Sequence, residues 1–183
     1  MKNNNLRLTI LIALSITINL IGANIALFLK LPIYLDLIGT LLIAVLLGPS
    51  YAFLSALLSA LLNWMTTDIF SLYFSPVAIT VALLTGLLCH KNIKLKALPL
   101  KALIISIPGT IVASLITVIL FHGITSSGSS IIANFMHGLG LDMTLSLVLV
   151  QLVTDYTDRL ISLIIVIFII KQSEPLLRNF KIN

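Results

Sequence analysis

Side chains able to do chemistry are few in this chain of 183 residues: six acids, three histidines and one cysteine. His90, His122 and His137 are dispersed, and Cys89 has no second thiol with which to form a disulfide or a Cys-rich metal site. No Walker A loop, HExxH helix, Gly-x-Ser-x-Gly elbow or CxxC pair occurs. Nucleophilic and metal-assisted catalysis lack a constellation, so the chain is read as a non-enzyme with no cofactor and no metal. What remains is binding chemistry. The stretch NWMTTDIFSLYFSP gathers Asn63, Trp64, Thr67, Asp68, Tyr73 and Ser75, and residues 122–156 add His122, Asn134, His137, Asp155 and Tyr156. Flat rings for stacking and a few fixed polar groups for orientation are what a small-molecule pocket requires. An ordinary aromatic girdle at a membrane interface uses the same residue types, and the residues alone leave both readings open.

The elements that carry these side chains are set by composition. The chain is 59% hydrophobic and 9% charged, with mean hydropathy +1.17, whereas soluble domains carry about 25% charged residues. It reads as an all-α integral membrane protein, one bundle over residues 1–183, with no separate soluble or ATPase domain expected. A crossing takes about 20 apolar residues. The N-terminal apolar run, about 8–29, is too long for a cleavable signal and reads as a retained helix 1. The block at about 34–66 divides at Gly48-Pro49-Ser50 into helices 2 and 3. Helix 4 is expected over about 72–90 and helix 5 over about 101–121. Residues 122–142 read as a Gly/Ser-rich loop with a short helix around Ile131–Met136. The last block, about 144–171, is divided into a short interfacial helix and helix 6 from about 158. Six crossings put both termini on one side.

Charge chooses the side. With cytoplasmic termini, the inner segments hold Lys2, Arg7, Lys91, Lys94, Lys96, Lys101, Lys171, Arg178 and Lys181, against Lys30 and Arg159 outside. That is a clear positive-inside bias, and it accounts for the net charge of +5 without a nucleic-acid partner. Asp36, Asp68, Asp142, Asp155 and Asp158 fall at the outer end. Asp36 is expected one turn into helix 2, where water or the helix dipole stabilises it. Ala13 and Thr17 on helix 1, and Ser55, Ala56, Ser59 and Ala60 on helix 3, are small residues that permit close helix contact in a bilayer.

Taken with its size and six-helix topology, the hairpin PIYLDLIGTLLIAVLLGPSYAFLSALLSALLNW and the Asp158-Arg159 pair before a basic tail resemble the substrate-binding S components of energy-coupling factor (ECF) vitamin transporters. In that family helix 2 often opens with Leu-Asp, here Leu35-Asp36, and turns through Leu-Gly-Pro, here Leu47-Gly48-Pro49. The resemblance implies capture of a water-soluble vitamin or precursor at the outer face of a bacterial cytoplasmic membrane. Uptake would then be driven by a transmembrane coupling subunit and two cytoplasmic ATPases. It implies a pocket of Trp64, Asp68, Tyr73, Asn134, His137, Asp155 and Tyr156, in which Tyr73 or Trp64 stacks on a ring, Asn134 and His137 bond its substituents, and Asp155 meets a hydroxyl or a cationic ring. It implies docking to the coupling subunit through Ala13-x-x-x-Thr17, where the family has Ala-x-x-x-Ala. Asp36 and Asp158 are expected to hold helix ends, pairing with Lys30 or Arg159. With few outer cations, a pyridoxine-like ring or hydroxymethylpyrimidine suits the belt better than an anion. The alternative is a membrane sensory or structural module that transports nothing.

Overall fold

A computed structural model describes residues 2–91 and 93–178, so Lys181 of the inner cations lies outside the described residues. Among the described residues the chain is all-helical, with no strand. The helices are α1 (Lys2–Phe28), α2 (Ile38–Leu47), α3 (Pro49–Thr66), the single turn α4 (Phe70–Tyr73), α5 (Ser75–Cys89), α6 (Leu98–Phe121), α7 (Gly128–Gly138) and α8 (Met143–Arg178), with a 3-10 turn at Leu95–Ala97 before α6. Proline in the first turn starts α3, α5 and α6, where its missing N–H costs nothing. Gly48, at φ +90, makes the α2–α3 turn, a conformation that glycine adopts without penalty.

The apolar core lies where α2, α5, α6 and α8 meet: Leu41, Val81, Leu98, Ile105, Leu163 and Val166 are wholly or almost wholly buried there. Close approach of α1 to α2 depends on Gly22 and Gly39. A Cβ on the first would run into the Leu35 carbonyl, and a Cβ on the second into the Ser15 carbonyl. A smaller cluster of Ala133, Leu147 and Val150 joins α7 to the first half of α8.

The molecule is polar within and apolar without. Ser15, Asn19, Thr40, Ser55, Ser59, Thr110, Thr117, Gln151, Asp155, Asp158 and Arg159 are buried, while the outward faces show stripes such as Ile107, Ile111, Leu115 and Ile119 on α6 and Leu6, Ile10, Leu14, Ile21 and Ile25 on α1. Two helical stretches, Asn5–Phe28 and Leu95–Phe121, are long and apolar enough to cross a membrane; Ile38–Leu47 and Ser75–Cys89 are shorter apolar helices.

Several expected boundaries are corrected. The last apolar block is one continuous helix of 36 residues, about 54 Å long, with no break before Asp158. Its interior polar groups need none: Thr154 hydrogen-bonds back to the Val150 carbonyl, and Asp155 and Asp158 find partners on other elements. The helix expected at Ile131–Met136 extends over Gly128–Gly138, because the Ser127 side chain caps it by accepting from Ser130 N. α5 begins at Ser75, after the separate turn α4. Asp36 is not inside helix 2. Leu35 sits at φ +54, and α2 begins only at Ile38, so the carboxylate belongs to the turn before the helix. Arg159, counted as an outer cation, is buried at 4% exposure.

Candidate ligand cavity

α8 supplies the central groups through a simple repeat. Gln151, Asp155 and Arg159 are four residues apart, which stacks them on one helix face, and all three line a cavity of about 130 Å³. Each is held. Ser114 Oγ donates to Gln151 Oε1 (2.5 Å), Gln151 Nε2 donates to Thr117 Oγ1 (3.1 Å), and Thr110 Oγ1 donates to Asp155 Oδ2 (2.7 Å). α6 thus fixes the rotamers of the α8 stripe. α3 adds Ala56, Ser59, Ala60 and Asn63, and α5 closes the wall with Val77 and Ala78.

The connection from α1 to α2 lines the cavity with Ile33, Tyr34 and Asp36. Asp158 positions it: Oδ1 accepts from the backbone N–H groups of Tyr34 and Leu35, both at 2.9 Å, and Oδ2 accepts from Arg159 Nη1 at 2.7 Å. One carboxylate on α8 therefore anchors the turn and orients the guanidinium beside it. Tyr34 shares a 2.8 Å hydrogen bond with Ser129 Oγ, tying the same connection to the first turn of α7.

Two polar atoms here lack a protein partner although buried: Asp36 Oδ1 and Arg159 Nε. Among the described residues Thr85 Oγ1, His90 Nδ1 and Ser162 Oγ are unpaired as well, but of these residues only Asp36 and Arg159 line the cavity, where they leave one acceptor and one donor able to meet a ligand.

The cavity brings together two of the residues expected to form a pocket, Asp68 and Asp155. Asp68 is occupied locally, accepting from Phe70 N and Ser71 Oγ to start α4. The others lie elsewhere. Trp64 and Tyr73 are 43% and 51% exposed, and Tyr73 sets its ring edge-on to Phe121. Asn134 and His137 are on the exposed side of α7, bonded to the carbonyls of Ser130 and Leu141. Tyr156 packs against the apolar core. Ala13 and Thr17 are exposed on α1, the Thr17 hydroxyl donating to the Ala13 carbonyl. Asp36, Arg159 and Gln151 were not in the expected pocket, although the four-residue spacing of Gln151, Asp155 and Arg159 was a readable signal of a shared face. Among the described residues no group of three or more His, Cys, Asp or Glu could hold a metal ion.

No family model, no curated protein and no solved structure matches this chain.

Proposed function

We propose that the protein is the substrate-binding S component of an ECF-type importer, taking a small water-soluble vitamin or precursor from outside a bacterial cytoplasmic membrane and relying on a separate coupling subunit and two ATPases for transport. The observation that carries this reading is the cavity itself. Buried Asp36, Asp155 and Arg159 line it, Asp36 and Arg159 each with an unpaired polar atom, inside a bundle whose outward faces are apolar. Intramembrane ionisable groups are costly and belong to pathways or sites. The apolar exterior supports residence in a bilayer.

In this reading α1, α2, α3, α5, α6 and α8 make the six crossings, with both termini cytoplasmic. Lys91 N donates to the Val45 carbonyl, which sets the lysine-rich α5–α6 connection beside the α2–α3 turn, at the end of α2 away from the Asp36 turn. The positive-inside rule assigns that end to the cytoplasm. α2 has 10 residues, about 15 Å, half of a roughly 30 Å hydrocarbon core; in this reading the connection from α1 through the Asp36 turn makes up the rest of that crossing, and the cavity opens above it. The exposed Ala13–Thr17 side of α1 is the docking face for the coupling subunit.

The test is twofold. The protein purified in detergent is screened against water-soluble vitamins by thermal shift, and co-expressed with coupling and ATPase subunits to look for a complex. A ligand at about 100 times its dissociation constant should stabilise the fold by roughly 2.7 kcal/mol. Absence of any stabilising vitamin together with absence of a complex rejects the reading.

A further inference from the structure

Size and charge of the cavity together restrict what enters it. An engineered cavity of about 150 Å³ accepts benzene, so a volume of about 130 Å³ is of the size that seats one six-membered ring. Three carboxylates, those of Asp36, Asp155 and Asp158, surround a single guanidinium, that of Arg159. Asp158 is spent on the Tyr34–Leu35 backbone and on Arg159. Asp155 keeps one oxygen on Thr110, and Asp36 Oδ1 has no partner. With all three acids ionised the cluster carries an excess of negative charge in a site of low polarity, where an uncompensated charge is strongly unfavourable.

Resting on the proposed function above, we infer that the ligand is a single-ring molecule bearing a cationic nitrogen group, which seats between Asp36 and Asp155 and neutralises the excess carboxylate charge. A neutral ring of the same shape leaves that charge in place, and an anionic one increases it. Arg159 does not invert this preference, because its Nη1 is already on Asp158 and two further carboxylates face it. The ionisable carboxylates here are Asp155 and Asp158 on α8, Asp36 from the turn before α2, and Asp68, which is spent on Phe70 N and Ser71 Oγ; the Tyr34 phenol lies beside them.

Three isosteric probes test charge without changing size: benzamidine (cationic), benzamide (neutral) and benzoate (anionic). Thermal shift and calorimetry on the detergent-purified protein should show benzamidine binding at least about tenfold more tightly than benzamide, a difference of about 1.4 kcal/mol, with no shift from benzoate. Asp155→Asn should abolish the benzamidine preference. Should Asp155→Asn not fold, Asp36→Asn read against the same series decides the matter. Equal shifts from all three probes, a preference for benzoate, or an unaltered preference in the variant overturns the assignment of charge. Assembly with coupling and ATPase subunits is scored separately, so an intact complex with the wrong probe preference rejects this inference and leaves the S-component reading standing.

Discussion

Two buried polar clusters meet at Ser59 of α3, and they differ in how completely they are paired. Between α1, α2 and α3, Asn19 Nδ2 donates to Thr40 Oγ1 (2.8 Å) and Ser59 Oγ (2.9 Å), while its Oδ1 accepts from Gly39 N (2.7 Å) and Thr40 N (3.3 Å). Ser55 bonds both Ser15 and Thr40. Asn19 uses both ends of its amide and, from a neighbouring helix, caps the first N–H groups of α2, which has no side-chain cap of its own. No atom of this cluster is without a partner. Around the cavity, by contrast, Asp36 Oδ1 and Arg159 Nε are left over, and the groups are charged. A saturated, uncharged network joins helices; a charged one with spare capacity is held open for something else.

This contrast is sharpest if the two clusters respond oppositely to truncation. Asn19→Ala strands the hydroxyls and N–H groups it served and should lower stability by about 1–2 kcal/mol, read as a fall in melting temperature, with ligand affinity of the folded fraction unchanged. Asp155→Asn keeps an acceptor for Thr110 yet removes an under-compensated buried charge. Stability of the ligand-free protein should therefore hold or rise by about 1 kcal/mol. If Asp155→Asn destabilises as much as Asn19→Ala, the cavity cluster is structural after all.

The smallest effect expected is at Trp64. It lies outside the cavity, so Trp64→Ala should leave ligand affinity within about twofold, the ±0.5 kcal/mol usual away from buried features. A larger loss would move the site toward the α3–α4 turn.

How far the site was legible in the sequence depended on whether its signal was local. Asp155 and Asp68 stood out as acids in apolar surroundings. The aromatic and polar belt gathered residues by their nearness along the chain, but Trp64, Tyr73, Asn134 and His137 share an end of the molecule without sharing a cavity. Each sits on a helix face turned outward or toward a local partner. Arg159 looked like a surface cation because its burial is produced by elements distant in sequence, although the carboxylate that pairs with it, Asp158, is its neighbour in the chain. The continuous α8 was hidden for a related reason: polar residues that would break an isolated apolar helix are satisfied by α6 and by the α1–α2 turn.

From the sequence alone came the helical class, the apolar composition and the division at Gly48-Pro49, since hydropathy, period and turn chemistry are properties of neighbouring residues. Only the tertiary structure decided which polar groups meet: that Asn19 caps α2, that Asp158 pins the turn at Tyr34 and Leu35, and that Asp36, Asp155 and Arg159 line one cavity. Pairing of buried polar groups is settled across helices, between residues separated by as many as 124 positions, and no local pattern encodes a contact of that range.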